Sequence, residues 1–219
     1  MMKAVLFDLD GTLLNRDASL EKFLGNQHSR LYQSLAHIPK ETYISRFIEL
    51  DCRGYVWKDK VYAQLSDEFS IKEITTEDLL LDYLDEFSEH CVPFPNLHSV
   101  LRQLKNRHFS LGMITNGYEK FQMDNIKALR IGSYFDTILV SESEGIKKPD
   151  TEIFHRALQR LQVSADESIY VGDHPENDVK AAERAGMKAV WKIDNYWGQV
   201  EAHYRIDNLL ELEAILSEI

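Results

Sequence analysis

The hydrophobic pattern divides the chain into three stretches of different period. Val5-Leu6-Phe7 is a short apolar run without alternating polarity, as expected of a strand buried on both faces, and it stops at Asp8-Leu9-Asp10-Gly11-Thr12. From Arg16 to about Cys91 the apolar residues recur at helical spacing instead. Leu20, Phe23, Leu24 and Leu31 form one series, Tyr43, Phe47 and Leu50 a second, Val61, Leu65 and Phe69 a third, and Leu80, Tyr83, Leu84 and Phe87 a fourth. The only proline of this stretch, Pro39, separates two of the helices. The pattern predicts an all-α insertion of four or five helices directly behind the first strand.

Pro93-Phe94-Pro95-Asn96 punctuates the return, with Asn96 as an expected N-cap. Beyond it, strands and helices alternate. Leu97, Leu101 and Leu104 share a helical face, Leu111–Ile114 reads as the second strand, and Phe121–Leu129 as a helix. Thr137–Val140 is the third strand, and Ile153, Ala157, Leu158 and Leu161 mark the next helix. Ile169–Val171 is the fourth strand, Val179–Ala185 a helix with Gly186 as its C′ residue, and Ala189–Trp191 the fifth strand. Leu209, Leu212, Leu216 and Ile219 close with a helix. Such alternation specifies an α/β fold with a parallel sheet covered on both faces, whose site lies beyond the carboxyl ends of the strands.

Composition narrows the function. With 219 residues, 44% hydrophobic and 28% charged, the chain has the make-up of an ordinary globular protein able to bury a real core. A net charge of −11 argues against a nucleic-acid backbone or an anionic membrane as the main partner. Cys52 and Cys91 have neither metal-ligand spacing nor a disulfide framework. Only Lys3 precedes the first apolar run, which is too short for a signal sequence or a membrane span, so the cytoplasm is the expected location.

Four polar clusters fall at predicted strand ends. Asp8 and Asp10, by strand alternation, are expected on one side, where two carboxylates suit a hard cation, or a nucleophile beside a general acid, or simply an acidic turn at Asp10-Gly11. Thr115-Asn116-Gly117 offers a hydroxyl, a carboxamide and backbone N–H groups that could hold an anionic oxygen or cap a helix. Lys147-Lys148-Pro149 delivers an ammonium group on a chain fixed by proline. Gly172-Asp173-His174-Pro175-Glu176-Asn177-Asp178 supplies two further carboxylates, while His174 and Glu176 read as exposed loop residues.

In this order the four segments resemble the haloacid dehalogenase-like hydrolase superfamily. Asp8–Thr12 matches its first motif, Ile114-Thr115-Asn116 the second, Lys148-Pro149 the third and Gly172–Asp178 the fourth. The resemblance implies a Rossmann-like core over residues 1–14 and 94–219, strand order 5-4-1-2-3, and a helical type 1 cap over residues 15–93. It implies Mg²⁺ held by Asp8, the backbone carbonyl of Asp10, and Asp173. Asp8 becomes the nucleophile that forms an aspartyl-phosphate, and Asp10 the general acid and base, within a loop completed by Gly11 and Thr12. Thr115, Asn116 and Lys148 become phosphate ligands, with Lys148 also steadying Asp8, and Asp178 orients Lys148 or a metal-bound water.

The implied activity is Mg²⁺-dependent hydrolysis of a small phosphorylated metabolite. A phosphomutase keeps both aspartates and is the nearest alternative. Dehalogenases of the family generally lack the second aspartate, and a non-catalytic binding module would have no need of an intact motif set. The cap is expected to close as a lid, with Arg46, Arg53, Tyr55, Trp57 and Lys58 as candidates to read the substrate against the plainer reading of solvated charges and core aromatics.

Overall fold

The computed structural model describes residues 2–219. The chain divides into two compact units, one made by the chain up to Asn15 with Val92–Ile219, the other by Arg16–Cys91. Asn15 stays with the first unit because its N–H donates to the Val92 carbonyl (2.8 Å), while Leu14 bridges to Pro93 in antiparallel fashion. The two connections therefore run side by side. Among the described residues no helix is long and apolar enough to cross a membrane.

The inserted unit is helical, and among its described residues there is no strand. It contains α1 (Arg16–Arg30), α2 (Tyr32–Leu35), α3 (Lys40–Asp51), α4 (Lys58–Glu68) and α5 (Thr76–Glu86). The apolar stripes turn inward: Leu20, Phe23, Leu24, Tyr43, Phe47, Val61, Leu65, Leu79 and Tyr83 are all buried. Each such side chain contributes roughly 1.5–3 kcal/mol by leaving water. Aromatic edges meet faces between Phe23 and Tyr83 and between Phe47 and Tyr62, at 5.3 and 5.2 Å. Gln27, fully buried, accepts from the Tyr43 and Tyr62 hydroxyls and donates to Asp82, so its burial leaves no polar group stranded.

The other unit is a parallel six-stranded sheet among the described residues, in the order β3-β2-β1-β4-β5-β6. Its strands are β1 (Ala4–Phe7), β2 (Ser110–Thr115), β3 (Thr137–Val140), β4 (Ser168–Gly172), β5 (Lys188–Lys192) and β6 (Tyr204–Ile206). The five expected strands occur in the expected order, and the sixth corrects the reading by extending the edge beyond β5. It escapes detection because it has three residues, of which Arg205 faces solvent, so no hydrophobic run marks it.

Helices α6 (Leu97–Asn106), α7 (Glu119–Ala128), α8 (Ser141–Glu144), α9 (Thr151–Leu161), α10 (Ala181–Arg184) and α11 (Leu212–Glu218) accompany the sheet. Leu6, Ile114, Leu139, Ile153, Phe154, Ala157, Tyr170 and Ala189 belong to one buried cluster that joins sheet to helices. Asn96 is not the side-chain cap expected for α6. It adopts a left-handed conformation (φ 67°) and its carboxamide donates instead to Asn208.

Register sets the position of the site. Phe7 lies level with Met113 on one side and Val171 on the other, so the chain leaves β1, β2 and β4 at neighbouring points. Asp8, Thr115 and Asp173 are thereby placed at the carboxyl ends of three adjacent strands, around the sheet's central strand.

Candidate active site

Strand β1 ends at Phe7, and the Asp8 N–H makes one last ladder bond to Val171 (2.9 Å). The chain then folds back on itself. The Leu13 and Leu14 N–H groups donate to the Leu9 carbonyl, and the Gly11 N–H donates to Leu14. Strand alternation therefore does not reach Asp10, and the two aspartates take different partners. Gly11 sits at φ 83°, and a Cβ there would lie 2.6 Å from the Asp173 carboxylate, so backbone conformation and space both demand glycine.

Lys148 is the hub. Its Nζ donates to Asp8 Oδ1 (2.6 Å), to Asp178 Oδ1 (2.6 Å) and to the Tyr170 hydroxyl (3.0 Å), and all four side chains are buried. The backbone that carries it is equally fixed. The Asn116 carboxamide donates to the Lys148 carbonyl and accepts from the Lys148 N–H, both at 2.9 Å. Asn116 thus engages its side chain in holding the lysine loop.

Asp178 lies in a π-helical turn, Pro175–Lys180, that His174 caps by accepting from the Glu176 and Asn177 N–H groups at Nδ1. The second Asp178 oxygen accepts from the His174 N–H (2.9 Å). His174 is half-buried with its ring 4.5 Å from that of Trp197, and so is not the exposed loop residue expected. Glu176 is exposed.

Oxygens of Asp8, Asp173 and Asp178 lie within 4.8 Å of one another, faced by the ammonium of Lys148. Burial, assisted by Asp178 and Asp10, pushes the Asp8 carboxyl up to about 7 against the pull of Lys148. Burial with Asp178 and Asp8 likewise raises Asp173 well above the usual carboxylate range. For Lys148, burial opposes the charge, but Asp178 and Asp8 override it and hold the ammonium protonated far above its ordinary value. When ionised, the three buried carboxylates outnumber the ammonium groups that act on them, Lys148 by direct hydrogen bonds and Lys192 through its field at Asp173, and leave an excess of negative charge. An all-oxygen donor set of this charge fits a hard divalent cation.

Asp10 stands outside the carboxylate cluster, and its Oδ2 accepts from Gln122 Nε2 at 2.7 Å. The same nitrogen lies 2.7 Å from Thr115 Oγ1, which is buried at the end of β2. Thr12 Oγ1 is 3.5 Å from Asp8 Oδ2. Two partners of this site went unread in the sequence. Gln122 hides as a polar residue on the buried face of α7, and Tyr170 looks like ordinary strand core. The signal for Gln122 is its place, with Asn125, on the stripe that continues through Ile126.

The insertion distributes its candidates differently. Arg46 pairs with Glu68 and Glu49 on the helix surface, and Lys58 is buried against Asp51 (2.5 Å), which also takes Arg16 (2.6 Å). Arg53 sits at φ 58° and is 3.6 Å from Asp17. Tyr55 is exposed, and Trp57 is half-buried at the start of α4.

The model of the haloacid dehalogenase-like hydrolases matches residues 5–192. A glyceraldehyde 3-phosphate phosphatase of Methanocaldococcus jannaschii is 29% identical over 228 residues, covering 100% of this chain and 99% of its own. Among solved structures, a HAD phosphatase from Thermococcus onnurineus is 30% identical with a TM-score of 0.69, covering 98% of each chain. A 2-haloacid dehalogenase from Pseudomonas syringae pv. Tomato DC3000 is 26% identical with a TM-score of 0.65, covering 100% of this chain and 99% of its own. With motifs, sheet order and site geometry in agreement, this chain belongs to the haloacid dehalogenase-like hydrolases.

Proposed function

We propose that this hydrolase is a Mg²⁺-dependent phosphatase that cleaves a small phosphomonoester through an aspartyl-phosphate at Asp8. The observation that carries the reading is Lys148, clamped at 2.6 Å between Asp8 and Asp178 inside a buried acidic cluster at the strand ends. A carboxylate nucleophile needs its own charge steadied and the incoming phosphoryl charge balanced, and an immobilised ammonium does both. Asp8, Asp173 and the Asp10 carbonyl would hold Mg²⁺, which when bound balances phosphoryl charge and keeps Asp8 ionised.

In the first step Asp8 forms a bond to phosphorus as the ester P–O bond breaks, and Asp10 gives its proton to the departing oxygen. In the second, Asp10 takes a proton from water as that water attacks phosphorus. The Asp8–phosphorus bond then breaks, and inorganic phosphate leaves. Thr115 and Lys148 stabilise the phosphoryl oxygens throughout, because the transferred group asks mostly for positioning and charge balance.

Relatives named for phosphatase activity support this reading, and so does Asp10 itself. A halide departs without a proton, whereas an alkoxide requires one, so a positioned carboxyl beside the nucleophile serves ester cleavage. The test is a panel of phosphomonoesters and 2-haloacids, with Mg²⁺ and with excess EDTA. Phosphate release that Mg²⁺ restores after EDTA is expected. Full activity in EDTA, or halide release in place of phosphate, overturns the proposal.

A further inference from the structure

We infer that Gln122 is a positioning residue for two groups of the site, fixing through one amide nitrogen the carboxylate of Asp10, which carries the proton, and the hydroxyl direction of Thr115, which holds a phosphoryl oxygen. This inference rests on the phosphatase reading above. Gln122 is buried, and its Nε2 lies 2.7 Å from Asp10 Oδ2, 2.7 Å from Thr115 Oγ1 and 3.1 Å from the Asn116 carbonyl. Its Oε1 accepts from Asn125 Nδ2, one turn along α7 (3.3 Å), and Asn125 is fully buried. A carboxylate and a carbonyl facing the same amide end require the NH₂ there, since the reversed amide would set oxygen against oxygen.

Two consequences follow for the chemistry. Asp10 Oδ2 is occupied by a donor, so the proton delivered to the leaving group and later drawn from water travels on Oδ1. The amide nitrogen has two hydrogens, and its two 2.7 Å contacts take them, so Thr115 Oγ1 accepts from Gln122 and its own O–H is left to donate to a phosphoryl oxygen. The loop is shaped for this contact: a Cβ on Gly117 would come within 2.9 Å of Gln122 Cγ. The glycine after Asn116 therefore makes room for the glutamine five residues later.

The experiment compares the wild-type protein with Gln122→Met, similar in size but no donor, and Gln122→Glu, similar in shape with a titratable end. An alkyl phosphate and p-nitrophenyl phosphate are the substrates, each followed across pH, with acid-quench trapping of the phosphoenzyme. Gln122→Met is expected to lose about ten- to a hundred-fold on the alkyl ester, a part of the ~10²–10⁴ that acid–base catalysis supplies. It should lose much less in the nitrophenol burst, whose leaving group needs no proton, and should accumulate phosphoenzyme. Gln122→Glu should approach wild-type activity at low pH, where its carboxylic acid donates, and fall as that acid ionises. Equal losses on both substrates, with an unchanged pH profile in folded protein, would overturn the inference and leave a merely structural residue. Failure of the phosphatase reading shows separately, as a wild-type protein that releases neither phosphate nor nitrophenol.

Discussion

At the scale of single residues, the opening motif separates two carboxylates that composition alone would treat alike. Asp8 is buried among Lys148, Asp173 and Asp178, whereas Asp10 turns to the neutral amide of Gln122. One environment suits a charged nucleophile beside a cation, the other a group that exchanges a proton. Asp8→Asn removes the proposed nucleophile, and turnover is expected to vanish with no trappable phosphoenzyme. Asp10→Asn should keep Mg²⁺ affinity within a few-fold, because its carboxylate stands apart from the cluster. Turnover of alkyl esters should drop by roughly 10²–10⁴-fold, and phosphoenzyme should accumulate on acid quench. Isothermal titration with Mg²⁺ and quench trapping check both variants. Loss of metal affinity in Asp10→Asn without trapped intermediate would reassign the two roles.

At the scale of elements, legibility follows burial. Strands β1 to β5 could be read because parallel strands covered on both faces become continuous apolar runs, and α6 and α9 because one face of each is apolar. The fold was legible for that reason, and so were the points where its strands end. Strand β6 has too few buried residues to leave a pattern, and the π-helical turn that aims Asp178 has no signature in spacing. The roles of Asn116, Gln122 and Tyr170 depend on long-range hydrogen bonds, and a single sequence does not say which loops meet. The same burial argument gives a prediction for the insertion. The paired connections at Leu14–Asn15 and Val92–Pro93 allow a short Gly/Ser turn to replace Arg16–Cys91 without stretching the sheet. The excised core is expected to be soluble with a native circular-dichroism spectrum, to cleave p-nitrophenyl phosphate, and to lose its ranking among natural esters. A folded core that keeps that ranking would show that specificity resides outside the insertion.

At the scale of the molecule, a chain of net charge −11 concentrates three carboxylates in one buried site, and stability there becomes linked to protons and, on the proposed reading, to a divalent cation. Asp8 has its ordinary carboxyl value, near 3.8, in the unfolded chain and about 7 in the fold. Between those values the folded protein holds a proton that the unfolded chain has lost. Stability of the metal-free protein from this group is therefore fully present below about 4 and declines as pH rises toward 7, by up to about 1.4 kcal/mol per pH unit. Asp173, raised by burial and by the same neighbours, acts in the same direction. A divalent cation reverses the balance by favouring the ionised carboxylates, and protons compete with it at low pH. Thermal melts in EDTA should give a lower Tm at pH 7.5 than at pH 5.5, with the slope reduced in Asp8→Asn. Mg²⁺ at about a hundred times its Kd should add about 2.7 kcal/mol at pH 7.5, a rise of roughly 5–10 °C for a chain of this size, and clearly less at pH 5.5. An equal Mg²⁺ effect at the two pH values would mean that the cation binds away from Asp8 and Asp173, and that their raised values belong to a site balanced by protons alone.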